Sequence, residues 1–269
     1  MIVLNYRRHS AGSATELPRN RPLRIIPGLY DGAKIDAHAH IGDFGSWANL
    51  ACDEEDLLRS MRLYNVEKSV LFYWDNDLVH RAVSNHPKKL VGCVWPDPRQ
   101  KDSRRLVRRA LSEWGFKGVK LHPLIHGFLP NDEAVYPIMD EARAARVPVL
   151  IHSGHPPFSL PWSIGELAEN FMDVPIVMLH MGHGNGIYIQ SAIEVARRLD
   201  NVYLETSGMP MHTKVKEAVD QLGDRRVLYG SDIPFHDPSV EITRVSAAGL
   251  GREQLERVFY FNAKELLRI

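Results

Sequence analysis

The sequence predicts an α/β protein folded as a closed (β/α)8 TIM barrel, and three observations predict it. Eight short apolar, β-branched runs recur from Lys34 onward. Each is followed by a longer stretch with helical punctuation, and no linker long enough to separate one domain from another interrupts the alternation. Continuous apolar strands between amphipathic helices indicate a parallel sheet covered by helices. Eight such units in about 235 residues suit closure into a barrel better than an open doubly wound sheet, which carries fewer strands. Residues 1–24, rich in Arg, Ser and Pro, read as a loosely ordered extension, and residues 25–269 as a single domain.

The expected strands are "KIDAHAHI" (34–41), "KSVLFYW" (68–74), "LVGCVW" (90–95), "GVKLH" (118–122), "VPVLIH" (147–152), "PIVMLH" (175–180), "NVYLET" (201–206) and "RVLYGSD" (226–232). Between them, "DEEDLLRSMRLYN" opens on acidic residues and keeps Leu57, Leu58, Met61 and Leu63 for a core. "RRLVRRAL" sets Arg104, Arg105, Arg108 and Arg109 on a solvated helix face, with Leu106, Val107, Ala110 and Leu111 inward. "NDEAVYPIMDEARAARV" follows Pro130, with Asn131 or Asp132 as its N-cap. "GIYIQSAIEVARRLD" turns Ile189, Ile193, Val195, Ala196 and Leu199 to the apolar side and ends on arginines.

Composition excludes several classes of protein. Hydrophobic residues at 44% and charged residues at 25% are ordinary for a globular chain able to bury a core. Lys+Arg and Asp+Glu number 33 each, so no global field favours nucleic acid or an anionic membrane. Cys52 and Cys93 stand far apart and outside any CxxC pattern, which argues against a disulfide framework or a structural zinc ribbon. No apolar run approaches the length of a membrane span or a signal core, so a soluble, cytoplasmic protein is expected.

A barrel builds its active site from the loops at the carboxyl ends of its strands. The polar residues of this chain collect there: His38 and His40 on the first run, Lys120 and His122 on the fourth, then His152, His180, Glu205 and Asp232 on the fifth to eighth. Alternate residues of a strand share a face, so His38 and His40 both aim into the barrel mouth and offer imidazole nitrogens to one ion. His152 and Asp232 complete a set of three nitrogens and one oxygen that leaves a position open for water. Any one of these histidines alone reads better as a hydrogen-bonded core or surface residue. Their joint placement reverses that judgement. His9, His80, His86, His126, His212 and His236 belong to no such pattern and read as surface or supporting residues.

The segments "IDAHAHIG", "GFKGVKLHP", "PVLIHSGHP", "IVMLHMGHG", "VYLETSG", "VLYGSDIPF" and "NAKELL" together resemble the amidohydrolase superfamily. They are most similar to its amidohydrolase-related branch, which includes aminocarboxymuconate-semialdehyde decarboxylase and uncharacterised metal-dependent hydrolases. The resemblance implies His38, His40, His152 and Asp232 as metal ligands, with Asp232 also accepting a proton from bound water. It implies His180 as an acid/base group beside a single ion, or as a ligand of a second ion. Binuclear relatives carry a carboxylated lysine at the place of Lys120; a free ammonium neutralising a substrate carboxylate is the preferred reading here. His122 shares the face of Lys120, and His155 and His183 are candidates for substrate contact or support.

The expected cofactor is a divalent cation, zinc first, with one ion favoured over two. The expected reaction is hydrolysis of a small carboxylic ester, lactone or amide by a metal-activated water. Nonoxidative decarboxylation of a small carboxylic acid with the same residues is the alternative. A catalytically idle, metal-holding barrel ranks last, because it has no need of both Asp232 and His180. The expected partner is a small, acidic substrate; nucleic acid and membrane are not expected, and a homo-oligomer is left open. Trp95, Arg99, Trp162 and Phe235 fall in loops near the mouth, and the proline-rich loop 153–165 is a candidate cover.

Overall fold

The computed structural model describes residues 29–269. The expected extension over 1–24, the first residues of the expected domain and His9 lie outside the described residues. The eight strands are β1 (Lys34–His40), β2 (Val66–Phe72), β3 (Leu90–Val94), β4 (Gly118–Leu121), β5 (Val149–His152), β6 (Ile176–Leu179), β7 (Val202–Glu205) and β8 (Val227–Leu228). Each pairs in parallel with the next in sequence order, so the architecture is the predicted (β/α)8 TIM barrel.

Closure departs from a regular ladder. Only Val227 and Leu228 of the expected run 226–232 form a strand, and the chain beyond them runs irregularly along β1. Ala37 N–H donates to the Tyr229 carbonyl (3.0 Å), Asp232 N–H to the His38 carbonyl (2.7 Å) and His40 N–H to the Ile233 carbonyl (2.8 Å). The reason lies in a side chain: the Asp36 carboxylate accepts from Ser231 N–H (2.8 Å) and from Ser231 Oγ–H (2.5 Å), replacing ladder bonds. Gly230 is required at this bend, since a Cβ there would stand 2.4 Å from Glu205 Oε1.

Alternation along the strands sorts inside from outside. Val119, Leu121, Val149, Ile151, Ile176, Met178, Val202 and Leu204 join the helices' Val107, Ala110, Ile138, Ala142, Ile164 and Ile193 in the main core. Their neighbours Lys120, Leu150, His152, Val177 and Glu205 face the barrel interior, and all are buried. Leu150 and Val177 join Val70, Val91, Cys93 and Leu228 in a second apolar cluster inside the barrel, and the inward polar residues stand toward the carboxyl ends of the strands.

The helices follow their sequence signals with local differences. Asp53 caps Glu54–Leu63 by accepting from Asp56 N–H; Leu57 and Met61 are buried, but Leu63, expected in the core, is 38% exposed at the last turn. In Ser103–Ser112, Val107 and Ala110 are buried. Arg104 and Arg108 are not simply solvated: both clamp the Glu141 carboxylate, with Nε–Oε1 at 2.7 Å for Arg104 and Nη2–Oε1 at 2.7 Å for Arg108. Asp132 caps a 3-10 turn over Glu133–Val135, and the α-helix proper is Tyr136–Ala145, because Pro137 suits a first turn that needs no N–H. Gly186–Arg198 buries Ile189, Ile193, Val195 and Ala196 as expected. The helix Pro161–Asn170 begins inside the expected loop 153–165, so Trp162 lies on a helix. A two-stranded antiparallel sheet, Gly42–Asp43 with Ala51–Cys52, follows β1 and carries no distinct sequence signal. Gly42 (φ +116°) is needed there, because a Cβ would stand 2.4 Å from the Tyr73 ring. Among the described residues no helix is long and apolar enough to cross a membrane.

Candidate active site at the strand ends

His38 and His40, buried at the carboxyl end of β1, face the cavity, whereas the Lys34 Nζ at the strand's start is spent on the Gly32 and Tyr64 carbonyls. His40 Nδ1 lies 3.0 Å from the Phe72 carbonyl and His180 Nδ1 lies 3.0 Å from the Ser207 carbonyl. A carbonyl cannot donate, so each Nδ1 carries a proton and each Nε2 is left free to offer its lone pair. His38 Nδ1 meets Glu205 Oε2 at 3.1 Å and Ser207 Oγ at 3.2 Å. Glu205 is surrounded by donors: Ser207 N–H (2.5 Å), Ser207 Oγ–H (2.9 Å) and His180 N–H (3.2 Å). Burial pushes its carboxyl up to about 8 despite those bonds, and drives His38 well below its usual range. A carboxylate behind a histidine fixes the ring and raises its basicity toward a metal.

The free ends of these rings meet Asp232. His40 Nε2 lies 3.1 Å from His38 Nε2 and 3.0 Å from Asp232 Oδ1, and His38 Nε2 lies 3.3 Å from the same oxygen. Ligand atoms 2.0–2.2 Å from one ion stand about 3.3–3.6 Å apart when tetrahedral and about 2.8–3.1 Å apart when octahedral neighbours. The donor spacing and chemistry therefore fit a divalent metal ion. His38, His180 and Asp232 also offer ligand atoms within 4.8 Å of one another, all three buried. Asp232 sits at φ +57°, a left-handed bend that serves to aim its carboxylate. Burial raises its affinity for a proton, but the contact to His40 and the positive potential of His180 and Lys120 outweigh this, and its pKa is lowered.

Lys120 is buried beneath this group, its Nζ 3.3 Å from His38 Nε2 and over the rings of Phe72 and Trp95. Desolvation lowers its pKa to about 7. His122 stacks between Trp95 (5.5 Å) and His152 (3.9 Å), and its Nδ1 accepts from Ile125 N–H. His152 is placed differently from the expected ligand set: its Nε2 lies 2.8 Å from His155 Nδ1, so that nitrogen is engaged away from Asp232. Its ring meets His180 edge-on at 4.6 Å.

The two turns "HSGH" and "HMGH" interlock. Gly154 (φ +94°) lies so close to the next turn that a Cβ would stand 2.2 Å from the Gly182 carbonyl oxygen. Ser153 Oγ donates to the Leu179 carbonyl (2.6 Å) and accepts from Gly182 N–H (2.9 Å). This lock brings His155 and His183 ring to ring at 4.2 Å.

All the sequence-predicted residues, His38, His40, Lys120, His122, His152, His155, His180, His183 and Asp232, line one cavity of about 310 Å³. Trp95 and Phe235 line it too; Arg99, paired with Asp97, and Trp162 do not. Sequence reasoning assigned no role to Glu205 or Ser207, or to the lining residues Phe44, Trp74, Leu124, Ile125 and His236. Glu205 was discoverable as the inward end of its strand. His236, past the end of a two-residue strand, had no periodicity to reveal it.

An eight-stranded barrel with a histidine–aspartate donor set at its carboxyl ends defines a protein of the metal-dependent barrel-enzyme class. The chain belongs to the amidohydrolase family, whose model matches residues 35–269. No curated protein matches the sequence. Among solved structures, 2,6-dihydroxybenzoate decarboxylase from Rhizobium is similar at a TM-score of 0.69 and 15% identity, covering 88% of this chain and 98% of that one. A 5-carboxyvanillate decarboxylase from Sphingomonas paucimobilis gives 0.70 and 16%, covering 88% and 99%. A dihydroxybenzoic acid decarboxylase from Polaromonas sp. JS666, with bound manganese and 2-nitroresorcinol, gives 0.70 and 16%, covering 88% and 97%. At these identities the likeness establishes the fold.

Proposed function

We propose that the protein is a metal-dependent, nonoxidative decarboxylase of a small aromatic carboxylic acid. This reverses the order expected from sequence, where hydrolysis came first. The observation that carries it is the cavity. Its floor is the donor group around Asp232, and its walls include the rings of Phe44, Trp74, Trp95 and Phe235. About 310 Å³ walled by aromatics suits a single flat ring carrying acidic groups. The decarboxylases similar in fold act, by their names, on dihydroxybenzoate and carboxyvanillate, which agrees with that shape.

His38, His40 and Asp232 would hold one ion, with His152 as a further donor once it gives up His155. Zinc and manganese are both suitable occupants. When bound, the ion supplies positive charge that orients a carboxylate or neighbouring oxygen. In the reaction the carbon–carbon bond to the carboxylate breaks and its electron pair remains on the ring carbon. That carbon takes up one proton as carbon dioxide leaves, so no oxidant is needed. His180 relays that proton at Nε2, taking it from solvent and passing it to the ring carbon, its Nδ1–H being fixed on the Ser207 carbonyl. Lys120, buried without an oxygen partner among the described residues, faces the substrate's carboxylate as a cation. The aromatic walls exclude water from the ring carbon.

The hydrolytic reading ranks second, supported by Asp232 lying where it can accept a proton from a water in the cavity. Carbon dioxide and acid release, measured together across hydroxybenzoates, aryl esters and lactones with metal-loaded protein, separate the two. Release of acid without carbon dioxide would reject the decarboxylase.

A further inference from the structure

The outer wall of the cavity carries a histidine that neither the donor group nor the proposed proton transfer uses. His236 Nδ1 lies 3.0 Å from Glu241 Oε1. Glu241 is fully buried, and its other oxygen is held by Arg244. That carboxylate fixes Nδ1–H and prevents the ring from turning away. The imidazole is about a third exposed and lines the cavity, while its Nε2 has no partner among the described residues.

The space in front of it is kept open by Gly208. A Cβ there would stand 3.0 Å from His236 Cε1, 3.3 Å from His180 Nδ1 and 3.7 Å from His183 Nε2. Three imidazoles thus gather around one bare Cα, with φ +68° that itself favours glycine. Phe44 and Trp74 line the same cavity and offer ring surface to the flat body of a ligand. A polar nitrogen held by a buried carboxylate on one side of an aromatic slot reads one edge of that ligand.

Resting on the aromatic-acid reading above, we propose that His236, braced by Glu241, is the specificity-determining residue. At Nε2 it accepts from a phenolic O–H, or as the imidazolium donates to a carboxylate, of a second acidic group carried by the substrate away from the one that is lost. A monoacid without that oxygen fills the slot but leaves Nε2 unpaired, so the substrate class is aromatic acids with at least two acidic substituents.

The test uses full-length, Mn2+-loaded protein and quenching of tryptophan fluorescence, since Trp74 and Trp95 line the cavity. Benzoate, 3-hydroxybenzoate and isophthalate are titrated into wild type, His236→Gln and Glu241→Gln. A charge-assisted hydrogen bond predicts that wild type binds 3-hydroxybenzoate or isophthalate about tenfold or more tighter than benzoate. Preference for the first assigns the site to a phenolic oxygen, and for the second to a carboxylate. His236→Gln should erase that advantage and hold benzoate within about twofold of wild type, with Glu241→Gln intermediate. Equal affinities in wild type, or equal loss of all three ligands in His236→Gln, would overturn the proposal. Carbon dioxide is measured on the same proteins across the hydroxybenzoates named above: selectivity that depends on His236 with no release from any of them refutes the decarboxylase reading and leaves the anchor standing.

Discussion

Glu205→Gln is the most informative single change, because it preserves shape and alters only what stands behind His38. The carboxylate is fully buried. Oε2 accepts from His38 Nδ1 (3.1 Å), Ser207 Oγ (2.9 Å) and His180 N (3.2 Å), and Oε1 accepts from Ser207 N (2.5 Å). A glutamine keeps one acceptor oxygen. If that oxygen takes the three donors, its amino group faces the Ser207 N–H, which loses its partner; the opposite orientation orphans more. One buried donor left unpaired costs about 1–3 kcal/mol, which lowers Tm by several degrees in a chain of this size. Loss of the carboxylate behind a ligating histidine weakens metal binding by about 10–100-fold. The assay is competition for Mn2+ and Zn2+ against a fluorescent chelator, paired with melting curves in EDTA and in saturating metal. The variant should bind both ions more weakly and show a smaller metal-induced rise in Tm. Unchanged metal affinity beside a lowered Tm in EDTA would refute the reasoning, since Glu205 would then be a core group only.

The remaining predictions concern strain, acid stability and proton transfer. Gly154→Ala forces a Cβ to 2.2 Å from the Gly182 carbonyl oxygen at φ +94°, so a loss of about 3 kcal/mol or more is expected in chemical denaturation. Gly115→Ala, also at positive φ but with open space around it, should cost about 1 kcal/mol, and similar losses for the two would discard the interlock. In the metal-free chain, desolvation depresses His38, His122, His152, His180 and His183, whose stabilising contribution is present above their unfolded pKa and lost as pH falls below about 6.5. Asp36 and Glu205, raised to about 7 and about 8, act in the opposite sense, but two carboxyls oppose five histidines. Tm in EDTA should therefore fall from pH 7 to pH 5, and a flat or rising profile would contradict the burial of these rings. His180→Asn and Asp232→Asn should each lower turnover by about 100-fold or more, with the ion retained in the His180 variant. Intact turnover in either would remove its assigned role.

The barrel and the strand-end placement of its chemistry were legible because both depend on periodicity within short segments. Val149, Leu150, Ile151 and His152 alternate wall and interior whatever the rest of the chain does, and so do Val119, Lys120 and Leu121. What was not legible depends on contacts between distant residues. The eighth strand stops at Leu228 because Asp36, nearly two hundred positions earlier, bonds Ser231 in place of a ladder partner. The tautomers of His40 and His180 are set by the Phe72 and Ser207 carbonyls, which periodicity cannot pair with them. His152 turns toward His155 within the interlocked turns of Gly154 and Gly182, a closeness visible only once two strands are adjacent. His236 was set aside for lack of a pattern, yet the same fold that ends β8 early carries it into the cavity wall. Periodicity therefore locates residues that strands deliver and is silent on those that loops deliver. In a barrel enzyme the metal-binding groups rest largely on the former and the choice of reaction and substrate on the latter, which is why the polar donor set of this chain was readable while hydrolysis was placed ahead of decarboxylation.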